Sequence, residues 1–171
     1  MKNKNTKKLI TAAMLLALGM VLPLITGQLK EIGDSLLPMH LAVLLCGFLC
    51  GGKYGFLTGL ILPLLRSVTF GMPPLYPNAL YMSLELCTYG FVSGFLYEKI
   101  SKKGIGYTYV SLVAAMVLGR VVWGISKVIM MGLKGQTFTI SAFVMGGIVD
   151  AIPGIILQLI LIPVIVKVFE K

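Results

Sequence analysis

Long apolar stretches separated by short polar connections run along the whole chain. The pattern predicts helices at about residues 9–27, 38–52, 54–70, 78–97, 108–132 and 142–168. An apolar helix of about 20 residues is long enough to cross the hydrocarbon core of a bilayer. The sequence therefore predicts an all-α integral membrane protein with six transmembrane helices, in which residues 1–171 form a single polytopic membrane domain.

The composition agrees with this pattern. Hydrophobic residues make up 57% of the chain and charged residues 12%, and the mean hydropathy is +0.95. Such a chain has too little polar surface to cover a soluble globule. The formal net charge of +9 lies mostly beside the predicted spans, which favours contact with membrane lipid and predicts no nucleic-acid partner.

The distribution of Lys and Arg predicts the orientation, because cytoplasmic connections are enriched in these residues. The two termini and the connections on their side carry ten, whereas the opposite side carries three. The ten are Lys2, Lys4, Lys7, Lys8, Lys53, Lys99, Lys102, Lys103, Lys167 and Lys171, and the three are Lys30, Arg66 and Lys134. Both termini are predicted to be cytoplasmic. The first apolar run continues through MVLPLIT without a clear cleavage site, so we expect a retained helix rather than a signal peptide.

A carboxylate interrupts the fourth predicted helix, in the stretch YMSLELCTYG. An ionised Glu85 at bilayer depth costs roughly 2.5 kcal/mol or more, so it is expected to face protein, water or a ligand. Asn78, Met82, Glu85 and Tyr89 are spaced to lie on one helix face. This face of the fourth helix is therefore a candidate part of a binding site.

The fifth predicted helix carries two cations on one face. One face of this helix carries, at helical spacing, Arg120, Trp123, Gly124 and Lys127. Charged residues within a span normally face the interior of the bundle. Trp123 offers a ring on which a cyclic ligand could stack, although a single tryptophan in a bundle also serves packing. This face of the fifth helix is thus expected to look toward the interior of the bundle.

Further polar residues fall at a similar depth, in the predicted outer half of the protein. Arg66 ends the third helix and Asp150 lies in the sixth, and His40 follows Pro38 at the outer start of the second. Together with Glu85, Arg120 and Lys127, these residues predict an outward-opening pocket. Its formal charge is +1, because the three cations Arg66, Arg120 and Lys127 outnumber the carboxylates Glu85 and Asp150 by one. This charge favours a carboxylate or phosphate on the substrate. A neutral ring compound is the alternative to such an anion.

Structural roles are the alternative for the same residues. Glu85 would then pair with Arg120 or Lys127 to lock helices together, and Arg66 would extend to lipid headgroups. Asp150 would accept a hydrogen bond at a kink near Pro153, while His40 is interpreted as a cap or pocket-rim residue. No metal-ligand spacing, catalytic motif or phosphate-binding loop occurs, so we predict no catalytic residue, no metal, no cofactor and no enzymatic activity.

The first predicted helix contains Ala13 and Ala17, a pair of small residues that lets another helix approach closely in lipid. The segments AAMLLA, LLPMHLAVLLCGFLCGGKYGFLTGLILPLLRS, ELCTYGFVSGFLYEK and IPGIILQLILIPVIV follow in order along the chain. With these segments, the whole chain resembles the substrate-binding S components of bacterial energy-coupling factor (ECF) vitamin transporters.

This resemblance implies a non-enzymatic subunit of the bacterial plasma membrane that captures a vitamin or related micronutrient outside the cell. Together with the positive charge of the pocket, it makes pantothenate, a folate or a phosphorylated precursor candidate substrates. Ala13 and Ala17 would contact a transmembrane coupling protein, the T component, which joins two cytoplasmic ATPases that drive uptake. The outer loops would act as lids, and the fourth to sixth helices would line the site. The alternative hypothesis is a stand-alone secondary transporter of a small metabolite, with Glu85 or Asp150 carrying a proton.

Overall fold

The computed structural model describes residues 2–26, 36–99, 104–135, 137 and 139–169. The described chain folds into helices throughout and contains no strand in these ranges. Their bounds are α1 (Lys2–Thr26), α2 (Pro38–Cys50), α3 (Gly52–Phe70), α4 (Leu80–Lys99), α5 (Ile105–Gly132), α6 (Ile140–Val144) and α7 (Ile152–Phe169).

The first five predicted helices correspond to α1 to α5, and their bounds differ by three residues or fewer except at the start of α1, which begins seven residues before the predicted start. The sixth is not one continuous helix, because the π-helical segment Met145–Val149 and a turn at Asp150 separate α6 from α7. Pro153 has no N–H to donate to the carbonyl four residues earlier, and Gly146 and Gly147 weaken the helix just before it. The local sequence therefore accounts for the interruption.

Four helical regions are long and apolar enough to cross a membrane. They are Lys4–Ile25, Leu75–Lys99, Ile105–Gly132 and Ile140–Phe169, and the apolar helix Pro38–Cys50 is shorter. Large apolar side chains such as Met14, Val117 and Ile160 are exposed on the outside of these helices. Exposed apolar side chains on helices of this length are expected to face lipid.

Glycines allow α3 and α4 to pack with their backbones in contact. A Cβ atom on Gly90 of α4 would collide with the carbonyl group of Gly55 on α3, and one on Gly59 would collide with the carbonyl of Leu86. Gly47 of α2 meets the same surface of α4, beside Gly90 and Ser93. Gly47, Gly55 and Gly59 therefore allow α2 and α3 to pack closely on α4.

The main core lies where α2, α4, α5 and α7 meet. Leu44, Tyr89, Leu112 and Ile162 contribute to this apolar cluster and are almost fully buried. Helix α1 packs on α2 and α3 from one side, and Gly19 brings it against Leu62 and Ala42. This arrangement leaves the opposite side of α1 outside the core.

Candidate functional site

Glu85 lies at the centre of a buried group of charged side chains from three helices. Its side chain is 1% exposed, and its Oε1 atom lies 3.0 Å from Nη1 of Arg120 on α5. The same oxygen lies 3.3 Å from Nε2 of His40 on α2. The side chains of His40 and Arg120 are 3% and 14% exposed. We call these three residues the Glu85 cluster.

Local sequence places His40 in this cluster. Pro38 begins α2, a position at which its fixed φ angle suits a helix and its missing N–H costs nothing. His40 therefore lies in the first turn of α2, next to the first turns of α4 that carry Glu85. The glycine contacts of α2 and α3 with α4 hold these helices close together.

Several polar atoms of the Glu85 cluster form no hydrogen bond with the part of the chain that the structure describes. They are Nδ1 and Nε2 of His40, Oε1 of Glu85, and Nε and Nη2 of Arg120, all buried. The two contacts of Glu85 are thus within ion-pairing distance without the alignment of hydrogen bonds. Buried polar atoms without partners cost about 1–3 kcal/mol each, so a ligand that bonds to them is favoured.

Tyr89 forms the inner wall of the cluster. It lies on the same face of α4 as Glu85, is 2% exposed, and its ring packs edge-on against His40 with centroids 5.1 Å apart. Gly119 makes room for this ring, since a Cβ atom there would lie 2.8 Å from Tyr89. Tyr89 and Gly119 thereby fix the side of the cluster nearest the core.

Aromatic rings and a second cation extend the site along α5. The Nζ atom of Lys127 lies 4.5 Å from the ring centroid of Trp123 and 5.6 Å from that of Tyr81. The guanidinium carbon of Arg120 lies 5.8 Å from Trp123, and Phe143 of α6 packs against that ring at 5.8 Å. Such cation–ring contacts stabilise buried or half-buried cations. We call Tyr81, Trp123, Lys127 and Phe143 the Trp123 group.

Counted together, the two groups contain two basic side chains, Arg120 and Lys127, and one carboxylate, Glu85. Arg120 and Lys127 exceed Glu85 by one positive charge, with His40 counted as neutral. A site with an excess positive charge in a low-dielectric surrounding attracts a negatively charged group. The arrangement can therefore bind an anion between α4 and α5.

A comparison with protein families gives one match. The family model for the ECF transporter, substrate-specific component, matches residues 7–166. The chain belongs to this family. Neither a curated protein nor a solved structure matches the chain. Members of the family are the binding subunits of transporters and not enzymes, and with its apolar helices this S component is a multi-pass membrane protein.

Three predicted site residues of this S component, Arg66, Asp150 and Asn78, belong neither to the Glu85 cluster nor to the groups around it. Arg66 is buried, and its Nη1 atom donates a hydrogen bond of 2.6 Å to the carbonyl of Met20 on α1. Met20 lies one turn before Pro23, which cannot donate a backbone hydrogen bond, so Arg66 bonds to the α1 backbone beside a proline. Asp150 is exposed in the interruption before α7.

The remaining predicted residue, Asn78, is half-buried in the segment Leu75–Ala79 just before α4. In the same segment, the hydroxyl of Tyr76 donates to the carbonyl of Met130 at 3.3 Å, which joins this segment to the end of α5. The first outer loop, predicted as a lid, falls largely at residues 27–35 and so lies outside the described residues.

Sequence reasoning did not place Tyr81 and Phe143 at the site. Tyr81 lies four residues before Glu85, so helical spacing alone would have placed it on the same face. Phe143 carried no comparable signal, because its contact with Trp123 depends on how α6 folds back onto α5. Buried Ser111 and Gln158 also contain side-chain atoms without hydrogen bonds among the described residues.

The face of α1 that carries Ala13 and Ala17 points away from the core. Both alanines are exposed, as are Leu9, Met14 and Leu18, whereas Ala12 is buried against the bundle. An apolar helix face that presents small residues allows a second helix to approach closely in lipid. The geometry is therefore suitable for contact with another membrane helix.

Proposed function

We propose that this S component captures a vitamin or related micronutrient from outside a bacterial cell for ATP-driven uptake. In this proposal the chain forms a single membrane domain with six transmembrane helices in the bacterial plasma membrane, and both termini are cytoplasmic. The family supplies the role of a substrate-binding subunit. The substrate is proposed to be a small anionic molecule, of which pantothenate is an example.

The observation that carries this proposal is the buried Glu85 cluster with its neighbouring cation. Glu85, His40 and Arg120 are brought together from three helices, yet several of their buried polar atoms form no hydrogen bond with the described chain. A purely structural ion pair would be expected to satisfy these atoms. Their arrangement supports a binding site for a polar ligand that completes the hydrogen bonds.

The partners in the proposed complex are a transmembrane coupling protein and two cytoplasmic ATPases. The exposed Ala13 and Ala17 on α1 support contact with the coupling protein. No phosphate-binding loop occurs in the sequence, so energy from ATP must come from separate subunits. In this arrangement the S component itself supplies the specificity for the substrate.

A second candidate function is stand-alone, proton-coupled transport of a small metabolite. The contact of 3.3 Å between Glu85 and His40 favours it, because a carboxylate and an imidazole so close can exchange a proton. The two functions differ in their source of energy. Proton coupling requires a proton gradient, whereas uptake by an S component requires the ATPases.

Reconstitution tests the proposed function against this alternative. The chain is placed in liposomes with and without the coupling protein and ATPases, and uptake of the compound that copurifies with it is measured. We expect uptake only with all partners and ATP, and no loss when a protonophore removes the proton gradient. Uptake by the chain alone that a protonophore abolishes would contradict the proposal and establish the alternative.

A further inference from the structure

Among the described residues, only one nitrogen of the Arg120 guanidinium group contacts a carboxylate. Its Nη1 atom lies 3.0 Å from Glu85, whereas Nε and Nη2 are buried and make no hydrogen bond with the described residues. Nε and Nη2 lie on the same edge of the planar group and point their N–H bonds in parallel. That edge matches the two oxygens of a carboxylate in a bidentate hydrogen-bonded pair.

We propose that Arg120 binds a carboxylate of the substrate through its Nε and Nη2 atoms, while Glu85 acts as a positioning residue. Glu85 attracts Nη1 and so orients the opposite edge of the guanidinium toward the ligand. This inference rests on the proposed function and adds to it the chemical class of the substrate, a monocarboxylate. It also assigns different roles to two residues of the Glu85 cluster.

The charge of the site favours a carboxylate over a phosphate. Counted over Glu85, Arg120 and Lys127, the formal charge is +1. A carboxylate carries one negative charge, whereas a phosphate monoester carries about −1.5 to −2 at neutral pH. In a low-dielectric site an unbalanced charge is costly, so the monoanion is the better match.

The aromatic surroundings indicate where the rest of the substrate lies. Trp123 is next to the guanidinium of Arg120 and its ring also contacts Lys127 and Phe143. A substrate whose carboxylate is held by Arg120 would therefore place its apolar part along the Trp123 group. Lys127 would contribute a long-range attraction to the same negative charge.

Arginine NMR tests the contact directly, since the chain contains only two arginines, Arg66 and Arg120. In ligand-free protein labelled with ¹⁵N-arginine, the Nε–H signal of Arg120 is the one missing from Arg120→Lys. We expect propionate to move this signal strongly and to leave Arg66 unchanged. Propionamide, which has the same shape without the charge, should have no effect, and inorganic phosphate should bind more weakly than propionate.

Three results would overturn the carboxylate assignment: an unmoved Arg120 signal at saturating propionate, an equal response to propionamide, or stronger binding of phosphate. Acidic residues of the first loop provide a further check. If the response to propionate appears only after Glu31→Gln and Asp34→Asn, the chain's own carboxylates occupy Arg120, and the proposal is wrong. Arg120→Lys should weaken propionate binding about tenfold or more, because it loses the two parallel hydrogen bonds.

Glu85→Gln tests the positioning role with a readout that a merely structural residue would not change. Removing the negative charge raises the excess positive charge of the site, so the variant should shift its preference from propionate toward phosphate. The matched control is Lys53→Gln, an exposed cation at the start of α3, which should bind both anions as the wild type does. An unchanged ratio of the two affinities in Glu85→Gln would contradict the positioning role.

The carboxylate assignment and the proposed function fail in different ways. Native mass spectrometry of the purified chain shows whether any small molecule is retained. A retained neutral molecule would preserve the binding function and refute the carboxylate assignment. A chain that retains nothing and does not support ATP-dependent uptake would refute the proposed function itself.

Discussion

Gly90→Ala is expected to destabilise the protein, although alanine is the better helix former. The added Cβ atom would lie 2.4 Å from the carbonyl carbon of Gly55 and 2.8 Å from its Cα atom. Non-bonded carbon atoms normally approach to about 3.5–4.0 Å, so α3 and α4 must separate by about 1 Å. This movement would disturb the contacts that hold α4 beside α2 and α3.

The size of the effect follows from two opposing contributions. Forcing an extra carbon into a packed interface costs about 1–3 kcal/mol. Alanine returns up to about 1 kcal/mol through its higher helix propensity. Because the collision is with backbone atoms of Gly55, we expect the cost to lie at the upper end of this range. The net loss is then about 2 kcal/mol, which corresponds to a fall of about 4–8 °C in melting temperature for a chain of this size.

A thiol-reactive dye provides the assay, because Cys46, Cys50 and Cys87 are buried in the folded protein. The dye reports unfolding in detergent as these thiols become accessible. Gly106→Ala is the matched control, since a Cβ atom at Gly106 of α5 would meet nothing within 4 Å. The reasoning is refuted if Gly90→Ala melts at or above the temperature of Gly106→Ala.

Two further predictions concern α1. Ala17→Phe should retain substrate binding and lose transport, because the bulky side chain blocks helix docking at an exposed position. The control is Val117→Phe, at an exposed position of α5, which should transport normally. Transport by Ala17→Phe at the wild-type rate would rule out this docking face. Arg66→Gln should lower the melting temperature by removing the hydrogen bond to Met20, with a loss of about 1–3 kcal/mol. A melting temperature equal to that of the Lys53→Gln variant would show that this bond contributes nothing to stability.

Hydrophobic patterning was sufficient to predict most of the helices. Helical spacing also identified Glu85 and Arg120, because charged residues in apolar helices must face the interior and meet each other. The number of membrane-spanning helices and the orientation of the termini stay predictions. A kink near Pro153 was considered only within the structural alternative, and the division of the sixth helix by the segment Met145–Val149 was not predicted, since it depends on how Gly146, Gly147 and Pro153 act together.

The composition of the candidate site depended on tertiary structure. His40 was interpreted as a cap or rim residue, yet it is buried beside Glu85, because the close packing of α2 on α4 brings its helix start inward. Arg66 instead contacts α1, and Asp150 is exposed. Sequence spacing relates residues within one helix, whereas contacts between helices depend on packing that the spacing does not encode.

The most direct test of the central claim is native mass spectrometry of the gently purified chain from cells grown in rich medium. We predict that the wild-type protein, without any partner, retains a small molecule carrying one carboxylate, and that Arg120→Gln purifies without it while remaining folded. An empty wild-type protein in a defined homo-oligomer would contradict the account, as would equal retention of the molecule by Arg120→Gln.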